Sequence, residues 1–318
     1  MGMILPLLYL GVGFGLALLL PERWGNRLKE SASALLTRWI IPTVIVYLVA
    51  TSRPELFFMA ASTMVLMALL VRCAAFFTND PVQRLAFVYL NAGIFGIPVV
   101  ASFWGEEAVR LYVGAYIGNS VMGNILGTSL MRRDATTDGL TNSGAELTHK
   151  AAVGAVVRSL LTNRPVIALA IGLICMPAGP FLNTHAAGIY KFITWVFSFV
   201  GLVVLGMWLS TARLHRTDLK QAARWAVLRL VLVSIYSIGI LALAHWMRTH
   251  TGVHLDQLLA HPQVLFILGV LPPAANIVIL ETHYRHEGTA APIIASGAVV
   301  SLGMIALAVP ILQLIFSS

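Results

Sequence analysis

Charged side chains are scarce in this sequence. Of 318 residues, 21 are Lys or Arg and 13 are Asp or Glu, 11% together against 58% hydrophobic. Soluble domains carry roughly 25% charged residues. The deficit excludes a soluble enzyme, a disordered tail and a nucleic-acid binder before any motif is read. Cysteine is rarer still. Cys73 and Cys175 lie at the end of one apolar run and within another, and they suggest neither a disulfide nor a metal cluster. Both read as small apolar residues. No Gly-rich stretch is followed by a Lys-Ser or Lys-Thr pair, so there is no P-loop. The apolar runs hold no Ser/His/Asp set. Glu281-x-His283-x-x-His286-Glu287 matches neither helical zinc motif and is not read as a metal site. The expectation is a protein that is not an enzyme and needs no cofactor.

Long hydrophobic runs are what the sequence has in abundance. A helix needs about 20 residues to cross a ~30 Å hydrocarbon core. Ten runs qualify: 3–20, 36–52, 56–71, 85–104, 111–131, 165–183, 192–212, 230–247, 263–280 and 289–316. The only charged residue inside them is Arg38. Backbone groups in lipid must be satisfied internally, so these runs are helices; they are too long and too uniformly apolar for barrel strands. The first run lacks the basic leader and cleavage site of a signal peptide and reads as a span. With ten spans, 17 of the 21 basic residues fall in one set of connections and four (Arg53, Arg110, Lys191, Arg248) in the other. Basic connections face the cytoplasm, which places both termini outside and accounts for the pI near 9.9 without nucleic acid.

The longest connection, 132–164, divides the chain into a first set of five spans (1–131) and a second (165–318). Five is odd, so homologous halves must run in opposite directions, as in inverted-repeat transporters. Each half has an irregular fourth span. Asn91-Ala92-Gly93-Ile94-Phe95-Gly96-Ile97-Pro98 interrupts one and Pro272-Pro273-Ala274-Ala275-Asn276 the other, both near the midplane. Proline lacks an N–H and clashes with the carbonyl four residues back; glycine lets the backbone unwind. Both spans should therefore break into half-helices, with Pro98 near the first position of the second half of span four. The freed backbone groups then line a cavity, toward which each second half-helix directs its positive end. Two such ends beside the amides of Asn91 and Asn276 suit an organic anion, a carboxylate for instance. Asn119 and Asn124 in span five, and Ser296 and Ser301 in span ten, are further candidates; for these, ligand contact and interhelical hydrogen bonding stay equally open. Glu281 reads either as a gate or proton-linked group or as an interfacial carboxylate. Arg38 either snorkels to the inner surface or holds an anion at the inner mouth.

The Asn91–Pro98 segment resembles the Asn-x-Gly-x-x-Gly-x-Pro signature in the fourth span of the auxin efflux carrier family. Pro272-Pro273-Ala274-Ala275-Asn276 followed by Glu281 resembles that family's ninth span, and Asn163-Arg164-Pro165 and the Gly201-to-Gly206 segment are similar too. The resemblance implies an all-α fold of ten helices with crossed broken helices, shared with bile-acid symporters and proton antiporters. It also implies a bacterial inner-membrane carrier of auxin-like, malate-like or malonate-like anions, and a homodimer. The family's functional positions fall on Asn91, Pro98, Pro273 and Asn276; Gly93, Gly96 and Pro272 belong to the same breaks. No acidic residue marks the crossing, so protons are preferred to sodium as a coupling ion. The competing expectations are a sodium-coupled symporter of the same fold and a channel or receptor-like membrane protein.

Overall fold

The computed structural model describes residues 4–51, 54–137, 160–211, 216–285 and 289–316, with the isolated positions 154 and 157. The described chain is almost entirely helical, and its only β pairing is one isolated bridge. In chain order the helices are α1 (Ile4–Leu19), α2 (Glu22–Ala50), α3 (Pro54–Ala74), α4 (Pro81–Val88), α5 (Ile97–Thr137), α6 (Arg164–Ile174), α7 (Met176–His185) and α8 (Ala187–Thr211). They continue as α9 (Arg216–His250), α10 (Asp256–Ala260), α11 (Gln263–Phe266), α12 (Asn276–Tyr284) and α13 (Ala290–Phe316).

Among the described residues five helices are long and apolar enough to cross a membrane: α2, α3, α8, α9 and α13. The pair α6 and α7, bent by 60°, makes a sixth if taken as one span. The protein is thus an all-α, membrane-embedded chain. The other apolar runs take different forms for identifiable reasons. Helix α1 is described over 16 residues, from Ile4. Runs four and nine are broken near their middles. Run five follows the second half of run four directly: the two helices meet at a kink at Gly105, whose non-helical φ of 77° turns the chain without a loop. Its residues 111–120 are all buried, so protein rather than lipid surrounds Asn119 and Ser120. Helix α5 also runs past Met131 into the segment read as a linker; residues 138–153 of that segment lie outside the described residues.

Small residues set the helix contacts, as expected where lipid supplies no hydrophobic drive between helices. A Cβ on Gly114 or Gly118 of α5 would lie 2.2 Å from a backbone carbonyl of α3 (Leu56 and Ala60 respectively). Gly13 brings α1 against the Val203 backbone of α8, and Gly172 of α6 admits Val49 of α2. Helices α1, α2, α6, α7 and α8 pack among themselves as one bundle, and α3, α4, α5, α9, α11, α12 and α13 as another. Among the described residues two wide, π-helical turns occur, over Leu36–Ile40 and Ala92–Gly96. Each ends just before a proline, Pro42 or Pro98, which has no N–H for the carbonyl one turn back.

Candidate functional site: the crossing of two broken helices

Helix α4 opens on Asp80, whose side chain accepts the Val82 N–H at 3.0 Å, with Pro81 in the first turn. It ends at Val88. Tyr89 is extended (φ −84°, ψ 109°), and the helix resumes at Ala92. Helix α11 tightens into a 3₁₀ turn over Ile267–Val270 and gives way to an extended Leu271 (φ −70°, ψ 148°). The two extended pieces cross as a minimal antiparallel ladder at Leu90 and Pro273. Asn91 N–H donates to the Pro272 carbonyl and Ala274 N–H to the Tyr89 carbonyl, both at 2.8 Å. These bonds flank the facing pair, so the ladder asks no N–H of Pro273. Arg285 after α12 pairs with Asp80 before α4 at 3.1 Å, so the broken segments run antiparallel.

The remaining backbone groups are satisfied by side chains, as burial demands. Asn119 accepts the Leu90 N–H on Oδ1 (3.1 Å) and donates Nδ2 to the Leu90 carbonyl (2.8 Å), acting as a third strand. The Tyr112 hydroxyl donates to the Ala92 carbonyl at 3.1 Å. On the other segment Arg229 of α9, only 3% exposed, donates Nε–H to the Gly269 carbonyl at 3.1 Å and an Nη2–H to the Leu271 carbonyl. A cation thus meets the carbonyl end of α11, where the helix dipole favours it. The sequence reading put Arg229 in an inner connection. Helix α9 starts at Arg216, so the residue lies well inside the helix and is buried.

The polar cluster beside the crossing centres on Tyr89. Its hydroxyl accepts from Asn276 Nδ2 at 3.2 Å and from Asn124 Nδ2 at 3.4 Å. Asn276 therefore joins the two breaks, and its residue is otherwise exposed. Asn91 is half-buried, and among the described residues its side chain makes no hydrogen bond. Tyr89 and Arg229 were not singled out from sequence. A tyrosine in an apolar run and an arginine at a run's edge carry no local signal of convergence.

Other expected residues take different positions. The break falls at Tyr89–Asn91, so Pro98 is not at the start of the second half-helix: the wide turn over Ala92–Gly96 precedes it. That turn absorbs the hydrogen bond Pro98 cannot make. A Cβ on Gly96 would lie 1.8 Å from the Tyr112 hydroxyl and one on Gly93 2.9 Å from the Tyr116 ring, so these glycines admit the tyrosines of α5. Each break proline is faced by a glycine of another helix, Gly201 against Pro98 at 2.6 Å and Gly297 against Pro273 at 2.5 Å from an added Cβ. Ser296 donates to carbonyls of its own helix, Pro292 and Ile293. Arg38 is exposed on the wide turn of α2 and enters none of the contacts at the crossing. His286 and Glu287 lie outside the described residues; among the described ones, no three His, Cys, Asp or Glu gather as a metal site.

Glu281 is fully buried at 0% exposure. It accepts the Thr289 N–H (2.8 Å), the Thr289 hydroxyl and the Ala290 N–H (2.9 Å), which caps the start of α13. Glu281→Gln is expected to lower stability by about 1 kcal/mol, the typical worth of such a cap. It should leave the pH profile of any transport unmoved; a shifted profile would return Glu281 to a proton-linked role.

No family model and no curated protein matches the chain.

Proposed function

We propose that the protein is a secondary transporter of an organic anion, of the auxin-efflux-carrier kind, built from ten spans as an inverted five-plus-five repeat. The observation that carries this reading is the crossing itself. Two helix N-termini, at Ala92 and Asn276, meet beside the Asn91 amide, which has no partner among the described residues, and the Asn276–Tyr89–Asn124 cluster. That gives electropositive, amide-rich chemistry without a fixed carboxylate. The pairing of helices supports the repeat. In span numbering, one packs on seven and six on two, three on five and eight on ten, while four crosses nine. Each pairing maps onto another, or onto itself, when the halves are exchanged.

The site lies in the second bundle, against which the first would rock. In the inferred orientation, with basic connections inside, both termini outside and a bacterial inner membrane around it, the outer seam between the bundles is held by Arg110 of α5. Its guanidinium lies 5.9 Å from the centroids of Tyr47 of α2 and Tyr190 of α8, which stack at 4.1 Å. It also bonds Thr51 at 3.2 Å and Glu106 at 2.7 Å. A cavity of about 270 Å³ lined by Thr51, Glu55, Glu107, Arg110, Asn183 and Gln257 sits over this seam. Cation–π contacts are worth about 0.5–2 kcal/mol each. Arg110→Ala should weaken closure by 1–2 kcal/mol, roughly a five- to thirtyfold change in population. The check is Leu48→Cys, a buried position in the wall of this cavity, in a background with both native cysteines replaced. An impermeant maleimide added outside should label it faster when Arg110 is replaced; equal rates would deny the seam a gating role.

The function is tested by counterflow. Proteoliposomes preloaded with malonate or indole-3-acetate should transiently accumulate the labelled anion without any other gradient. Dissipation with no overshoot would indicate a channel, and sodium-dependent accumulation a symporter.

A further inference from the structure

A second polar site lies behind the crossing. A cavity of about 90 Å³ is bounded by α4, α9 and α13, and the crossing residue Pro273 is part of its wall. Gln83 and Gln221, joined by a hydrogen bond at 3.2 Å, and Asp218 stand at its mouth. The buried Arg229, Ser296, Gly297 and Ser301 and the half-buried Trp225 also line it. Two of these are unusual. Arg229 is 3% exposed and makes no ion pair among the described residues; its guanidinium has five N–H donors and gives two to the Gly269 and Leu271 carbonyls. Ser301 is 1% exposed, and its hydroxyl has no partner among the described residues. Buried polar groups without partners are costly and uncommon, and a buried charge wants a counter-charge. Capping the carbonyl end of α11 accounts for two donors of Arg229. The other three have no described acceptor, and the same cavity holds the buried Ser301 hydroxyl without a described partner.

We infer that this cavity binds one small anionic group, a carboxylate or a halide, between the free N–H groups of Arg229 and the Ser301 hydroxyl. The volume fits such a group. It is smaller than the ~150 Å³ of an engineered core cavity that holds benzene, so the body of a larger organic acid stays outside. The inference does not depend on transport, because binding is read on purified protein with no gradient. Trp225 in the cavity wall supplies the reporter. Bromide should quench tryptophan fluorescence with a saturable component above the linear collisional background of the other tryptophans, and acetate should compete it away. Ser301→Ala should weaken the bromide midpoint about tenfold, the worth of a hydrogen bond to a charged group, and Trp225→Phe should remove the signal while a melting-temperature rise with acetate persists. Arg229→Lys keeps the charge and should bind more weakly; Arg229→Met should not bind. If Arg229→Met does not fold, Ser301→Ala and Arg229→Lys decide the matter. Purely linear quenching in the native protein, or a saturable component unchanged in Ser301→Ala and Arg229→Lys, would overturn the site. Competition by malonate or indole-3-acetate that is lost in Asn276→Ala would make the occupant the carboxylate of the crossing-site ligand. Competition by acetate and chloride alone would make it a separate small anion.

Discussion

Replacing Asn119 by Leu should unfold the crossing. The amide is the sole described partner of both the Leu90 N–H and the Leu90 carbonyl, at 3.1 and 2.8 Å and 1% exposure. Leucine has similar bulk but neither a donor nor an acceptor. Each buried backbone group left unsatisfied costs about 1–3 kcal/mol, so the loss is roughly 2–6 kcal/mol. That is a large share of the 5–15 kcal/mol stability of an ordinary domain. A melting-temperature measurement in detergent should show a large fall. An unchanged melt would mean that the extended pieces hold without Asn119, and that its amide is free for a ligand instead.

Replacing Asn276 by Ala should act differently, on transport and only weakly on stability. Its side chain is exposed apart from the bond to Tyr89, so truncation strands no buried backbone group. A hydrogen bond to a charged ligand is worth about 1.5–3 kcal/mol, or roughly ten- to a hundredfold in affinity. Counterflow in reconstituted vesicles should fall by that factor while the melt stays near that of the native protein. A variant with a normal melt and full counterflow would remove Asn276 from the site.

The contrast shows which parts of the crossing are legible in the sequence. The two interruptions are local. Pro272-Pro273 and the glycines before Pro98 cannot continue an ordinary helix, so the sequence marks where the runs fail. The side chains that repair the breaks come from elsewhere. Asn119 lies 29 residues beyond Leu90, and Arg229 lies 40 and 42 residues before the carbonyls it caps. Nothing at those positions announces the pairing. Glu281 follows the same logic, since its capping of α13 exists only once the chain turns between α12 and Thr289. Pro98 was misplaced because a proline can follow a widened turn as readily as start a helix. The junction of runs four and five is a kink at Gly105, whose positive φ takes the place of a longer loop.

The most direct test of the crossing as the site is a structure of the protein with a counterflow-active anion bound at saturation. The account expects the anionic group between Asn91, Asn276 and Tyr89, at the N-terminal ends of the turn at Ala92 and of α12. An anion bound away from both breaks, with Asn91 and Asn276 untouched, would contradict it.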